Sequence, residues 1–185
     1  GITGFSDSFL TLAYGSLGKI PYPLIFIIFL AIIFAIILHK TRLGRQYYLV
    51  GVNKDVASYS GIAVKFTITT AYIFTSLCSG VSGIILTSYF TSARSDLGSD
   101  ALLPTLTSVV LGGASINGGS GFIVNTVIAC FFIGYLKQGL MSIGISSDVS
   151  QIIVGILLIL TVTSKIIISK IRLIMLNNKI LNKVI

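Results

Sequence analysis

Long apolar runs alternate with short polar stretches along this chain, and the runs set its class. A helix crossing a bilayer needs about 20 mostly apolar residues. Five segments approach that pattern. Residues 21–38 carry no charge, and Pro21 and Pro23 fall in the first turn, where proline is tolerated. Residues 66–90 are also uncharged, and Gly80 and Gly83 allow a close neighbour. Residues 101–116 are shorter and broken by glycine at their end. Residues 122–140 hold Lys137 near their end, and 149–164 form the last run. The pattern predicts an all-α polytopic transmembrane helix bundle of about five spans. Residues 1–19 have neither the cationic start nor the apolar centre of a signal peptide. They read as a polar loop entering a helix at Pro21. Gly1 is not an initiator methionine, so the expectation is that sequence upstream is missing or that the gene is broken.

Composition agrees with the spans. The chain is 54% hydrophobic and only 10% charged, against about 25% charged in an ordinary soluble domain. The net charge of +8 could suggest nucleic acid as a partner. The basic residues instead flank apolar runs, which is a membrane-topology pattern. Of 13 Lys and Arg, ten fall in two places. Lys40, Arg42, Arg45, Lys54 and Lys65 lie in 39–65, and Lys165, Lys170, Arg172, Lys179 and Lys183 lie in 165–185. If each of five spans crosses once, those two segments share a face. The opposite face receives Lys19, Arg94 and Lys137 together with Asp7, Asp96, Asp100 and Asp148. Positive-inside then predicts a cytoplasmic 39–65 loop and a cytoplasmic C-terminus. In 165–185, charged residues and Asn interrupt Ile and Leu at helix-like intervals. This predicts an amphipathic helix on the cytoplasmic surface in preference to a sixth span.

Catalytic chemistry finds no footing. The chain has no Glu, no clustered His or Cys and no Walker-type phosphate loop. Ser82 lacks a plausible base, and His39 reads as an interfacial residue at a helix end. Cys78 and Cys130 lie inside apolar runs and read as buried small hydrophobes. The expectation is no catalytic residue, no metal and no cofactor. Any energy used must come from a partner.

The 39–65 loop is longer than the usual connection of about 4–6 residues. Asn53 suits a helix N-cap, and Asp55 suits the positive first turn. Ala57 suits the helix interior and Gly61 its stop. A short capped helix is therefore expected across the cytoplasmic face. Physics alone leaves two roles open: docking into a groove of a soluble partner, or resting on the surface.

The same residues resemble the coupling loop of ATP-binding-cassette (ABC) importer permeases of the ribose and monosaccharide type. Members show Gly-Arg, Gly-x-Asn, an Ala-Ala pair and Ser-Gly-Ile. Here those stand as Gly44-Arg45, Gly51-Val52-Asn53, Ala57 and Ser60-Gly61-Ile62. The wider importer pattern, Glu-Ala-Ala followed by Gly, stands as Asp55-Val56-Ala57 and Gly61, with a shorter acid and a bulkier Val56. A second stretch, Gly112-Gly113-Ala114-Ser115-Ile116-Asn117-Gly118-Gly119-Ser120-Gly121, resembles the family's Gly-Gly-x-Ser-x-x-Gly-Gly-x-Gly. So many glycines cannot sustain a helix, each costing about 1 kcal/mol against Ala. The stretch reads first as a tight turn near the cytoplasmic surface and second as a broken helix beside the pathway. Ile20-Pro21 also matches the family's entry into a span.

The resemblance covers 9–165. It implies the second half of a permease with roughly ten spans of about 20 residues each. It further implies an ABC ATPase on the loop, a second permease copy, an extracytoplasmic solute-binding protein and a bacterial inner-membrane location. The solute it implies is a monosaccharide such as ribose; branched-chain amino acids or nucleosides are the alternatives. Tyr72, Asn125, Gln138 and Gln151 could face a sugar, although each reads first as a packing or interfacial residue. A non-transporting fragment or scaffold competes with this reading. An ion-coupled carrier fits poorly, because intramembrane carboxylates are lacking.

Overall fold

This computed structural model describes residues 2–167 with their side chains and carries the helical backbone on to Val184. In chain order the elements are α1 (Asp7–Tyr14), β1 (Ser16–Leu17), β2 (Ile20–Pro21), α2 (Tyr22–Lys40), α3 (Arg42–Val52), α4 (Lys54–Tyr59) and α5 (Val64–Phe90). A 3₁₀ turn (Ser99–Ala101) leads into α6 (Leu102–Leu111), then α7 (Ile123–Ser142) and α8 (Ser147–Val184). Among the described residues the bundle is all-α apart from an antiparallel ribbon pairing Leu17 with Ile20 and a single bridge between Ile2 and Ala93.

Among the described residues, four helices are long and apolar enough to span: Tyr22–Lys40, Val64–Phe90, Ile123–Ser142 and Ser147–Ile167. None of the 19 residues of α2 is buried. A helix apolar on all sides and uncovered by protein is one solvated by lipid. α5 has 27 residues, or about 40 Å, and outreaches a hydrocarbon layer of about 30 Å.

The third expected span differs. Residues 101–116 give only the 10-residue α6, about 15 Å long. The chain still travels between the two ends of the bundle, because the 3₁₀ turn precedes α6 and the glycine stretch extends it. Gly112 and Gly113 end the helix in a Schellman motif. Gly113 N donates to Val110 O (3.1 Å) and Ala114 N to Val109 O (3.2 Å), with Gly113 at φ +98°.

The N-terminal segment is more ordered than a polar loop. Asp7 sits in the first turn of α1, and the helix packs on the far end of α5. There the fully buried Ser88 donates its hydroxyl to Phe9 O at 2.8 Å, and Tyr14 stacks on Tyr89. Phe9, Leu10 and Ala13 supply the helical apolar spacing that permits this.

The protein core is thin and sits mainly where α6, α7 and α8 meet. Val110, Ala129, Ile133 and Val154 are buried there. Buried Thr107 and Ser108 satisfy their hydroxyls on Leu103 O and Pro104 O, both at 2.7 Å. Contrary to the sequence expectation, neither cysteine is buried. Cys130 faces an open groove beside α7 and Cys78 is half-covered. Inside an apolar run, burial within the chain and exposure to lipid leave the same sequence signature. The amphipathic tail expected over 165–185 lies mostly outside the residues described with side chains, which reach only its first three positions.

Candidate functional site

The α3–α4 loop and the glycine stretch, far apart in sequence, come together at one end of the bundle. The loop begins where α2 stops. The Thr41 hydroxyl donates to Ile37 O (2.6 Å) and accepts from Gly44 N (3.3 Å), so one side chain ends α2 and caps α3. Gly44 is buried in that corner, where a Cβ would collide with the carbonyl oxygens of Ile37 and Leu38. α3 thereby folds sharply off α2. Arg45 is exposed on α3, and no charged partner reaches it among the described residues.

Two tyrosines fasten α3. Tyr47 donates to Thr70 Oγ1 of α5 at 2.9 Å. Tyr48 donates to Gly121 O at 2.8 Å. Burial raises the Tyr48 phenol above its ordinary value, so it remains a neutral donor through the physiological range. His39 stacks on Phe122 beside this bond.

The short capped helix is where the residues predicted it. Asn53 Oδ1 accepts from Asp55 N (2.9 Å) and Val56 N (3.1 Å), and Asp55 occupies the first turn. Gly61, at φ +78°, closes α4 with a Schellman motif, its N–H on Ser58 O (3.0 Å) and that of Ile62 on Ala57 O (3.1 Å). Ser60 Oγ bonds Val56 O at 2.9 Å. Ala57 is only 3% exposed and seats α4 on the chain itself. The outward face consists of Lys54, Asp55, Val56, Ser58 and Tyr59. Val56 is 59% exposed and Tyr59 92%.

The glycine stretch forms a compact turn. Gly118 N donates to Ser115 O (3.1 Å) and Ser115 N to Ser120 O (2.9 Å). Its tip presses on the end of α3. A Cβ on Gly51 would lie 2.5 Å from Gly119 N, and one on Gly118 would lie 2.7 Å from Gly51 O. One on Gly119 would meet Val52 Cγ2 at 2.5 Å. Gly112 likewise has no room for a Cβ, with Thr126 Cα of α7 at 2.5 Å. Gly121 passes close to Ala114 and offers its carbonyl to Tyr48. The stretch stops α6 and then turns against the loop.

Sequence reasoning did not foresee α3 as a helix, nor Thr41, Tyr48 or Lys165 as members of the site. Lys165 Nζ lies 2.5 Å from Val110 O and 3.2 Å from Ala114 O, at the end of α6. Leu43, Tyr47 and Val50, spaced four and three apart behind Thr41, carry the helical signal for α3. No sequence signal marks the Lys165 contact.

The four possible solute-facing side chains do not converge. Gln138 borders an apolar groove of about 700 Å³ between α2 and α7. Tyr72 borders a recess of about 430 Å³ between α3 and α5. Asn125 is exposed and Gln151 half-buried. No group of His, Cys, Asp or Glu suited to a metal occurs among the described residues.

Known proteins place this architecture. The chain is 43% identical over 165 residues to the autoinducer 2 import system permease protein LsrD of Salmonella typhi, covering 89% of this chain and 50% of that protein. It is 42% identical, with the same coverage, to the LsrD protein of Yersinia enterocolitica. The chain therefore spans about half the length of the curated relatives it matches. No solved structure matches it significantly. The family described as branched-chain amino acid transport system / permease component matches residues 1–162, and with a helical bundle of spanning length under that match, the chain belongs to this family of transport permeases.

Proposed function

We propose that this chain forms one half of the membrane subunit of an ABC importer, the second half by the position of its loop, and that α4 is where an ATPase docks. The observation that carries the proposal is the construction of the loop. α4 is capped at both ends, seated through Ala57, and turns Val56 and Tyr59 outward. An exposed aromatic on a rigid helix tip is the kind of anchor on which interfaces concentrate their energy. Closure of the ATPases on ATP would push α4 towards the bilayer. Gly44, Arg45, Gly51, Asn53, Asp55, Ala57, Ser60 and Gly61 would serve this coupling mainly by shaping and holding the loop. The complex would also include a second permease copy and an extracytoplasmic solute-binding protein. Its setting would be the bacterial inner membrane, with the loop and the C-terminus cytoplasmic.

The solute proposed is a small polar molecule of the monosaccharide class. The names of the LsrD relatives support autoinducer 2 as the first candidate, ahead of ribose. The family description supports a branched-chain amino acid as the second reading. Competition for uptake by unlabelled autoinducer 2, ribose and leucine would separate them.

Docking is tested with the full-length permease, its ATPase and its binding protein reconstituted together. Tyr59 is so exposed that Tyr59→Ala removes little packing within the chain. It should weaken retention of the ATPase about tenfold or more, as the loss of an interface anchor does, while leaving the permease folded in the membrane. If Tyr59→Ala and Val56→Ser both retain the ATPase and couple hydrolysis to uptake as wild type does, α4 is only a surface helix.

A further inference from the structure

α6 stops beside the first turn of α7, near the loop end of the bundle, and its end is held from three sides. Its own turn supplies the amides of Gly113 and Ala114. Gly112 lies against the backbone of Thr126 on α7. The third hold comes from α8, where Lys165 reaches back to Val110 O and Ala114 O. The C-terminal end of a helix carries partial negative charge that a cation complements, and Lys165 adds a second donor to Val110 O, which already accepts from Gly113 N. Hydropathy alone assigns Lys165 to the basic flank of a span. Yet the backbone of α8 continues to Val184, so Lys165 is not a helix-end residue. Its half-buried side chain ends on protein carbonyls.

The turn that hangs from this point is the one that meets the loop. Gly118 and Gly119 abut Gly51 and Val52 so closely that backbone touches backbone. A contact without flexible side chains transmits displacement instead of absorbing it. Whether the displacement goes further depends on how firmly the other end of the turn is anchored. Tyr48 anchors the turn back to α3 through Gly121, which keeps turn and loop together. Lys165 is the only described side chain that bonds the α6 end to α8.

We propose that Lys165 is a positioning residue that ties α6 and its glycine turn to the spanning helix α8, so that movement of the α3–α4 loop is passed into the bundle instead of being lost in the turn. The transmission half of this inference rests on the docking role proposed above; the clamp itself does not.

Two measurements separate those halves. In the full-length permease alone, in nanodiscs, hydrogen exchange is followed across 109–121 for wild type, Lys165→Met and Lys165→Arg. Lys165→Met should exchange at least about tenfold faster there, the factor corresponding to loss of a single charged hydrogen bond, of which Lys165 makes two. Lys165→Arg, which can donate to both carbonyls, should stay near wild type. If Lys165→Met does not reach the membrane, Lys165→Gln replaces it. Unchanged exchange in the uncharged variant overturns the clamp. The second measurement is the ratio of autoinducer 2 taken up to ATP hydrolysed in the reconstituted complex. Lys165→Met should keep the ATPase bound and hydrolysing but lower that ratio, with Lys165→Arg restoring it. An unchanged ratio alongside faster exchange overturns the transmission and leaves a structural clamp. If wild type neither binds an ATPase nor takes up solute, the importer reading fails, the transmission half falls with it, and exchange still decides the clamp.

Discussion

Gly51→Ala should destabilise this protein although it improves a helix. Gly51 lies inside α3 with a φ outside the left-handed region. In a free helix the change would stabilise by about 1 kcal/mol. Here the new Cβ would meet Gly119 N at 2.5 Å, Gly119 Cα at 3.2 Å and Gly118 C at 3.3 Å. All three atoms are backbone, so no rotamer change relieves the clash, and overpacking of this kind costs about 1–3 kcal/mol. The balance is a net loss of about 1 kcal/mol. Gly113→Ala is the companion variant. Its Cβ would meet nothing within 4 Å, but its φ of +98° leaves a backbone penalty of about 1–2 kcal/mol. Thermal unfolding in nanodiscs should show both variants below wild type. Hydrogen exchange should separate them: Gly51→Ala should loosen both α3 and 115–121, whereas Gly113→Ala should loosen the end of α6 and leave α3 alone. A raised melting temperature for Gly51→Ala, or unchanged exchange at 115–121, would show that the two backbones do not press on each other.

Two further expectations concern the same face. Asn53→Ala removes the acceptor for two amides and should destabilise α4 by about 1 kcal/mol, read as faster exchange over 54–61, whereas Asn53→Asp keeps the cap and should not. For topology, Ser58 and Ser95 are both exposed near opposite ends of the bundle. An impermeant thiol reagent applied to intact cells should label Ser95→Cys and spare Ser58→Cys in a background without Cys78 and Cys130; the reverse pattern would invert the orientation.

The long helices were legible because each is apolar over its own length, and period and run length are local properties. The capped α4 was legible for the same reason: Asn53 and Gly61 act on neighbouring amides. α1 and α3 were harder. Their apolar residues are interleaved with polar ones, so hydropathy reads them as loop. Only the spacing of Leu43, Tyr47 and Val50, or of Phe9, Leu10 and Ala13, marks a helix. The true length of α6 depended on how 112–121 would turn, which composition left between two readings. The side on which Ala57 faces was beyond reach, because a small residue suits both a partner's groove and the chain's own interior. The meeting of Gly51 with Gly118, and of Lys165 with Val110, is tertiary and leaves no mark in either local pattern.

The separation of these contacts along the chain also sets an order of events during synthesis. Tyr48 and its acceptor on Gly121 are 73 residues apart, and Lys165 stands 55 residues beyond Val110. At about 5–20 residues per second, the seat for α3 follows α3 itself by roughly 4–15 seconds, and the clamp on that seat arrives later still. During that interval Tyr48 lacks its acceptor, and α3 is held by Thr41 and, once α5 has been made, by the Tyr47 bond to Thr70. A ribosome stalled between the two partners would leave α2 and α5 inserted, α7 and α8 unmade, and no glycine turn beside the loop. Such a product is a natural substrate for membrane quality control, and changes that weaken the late contacts should therefore lower the amount of protein before they alter what the surviving protein does.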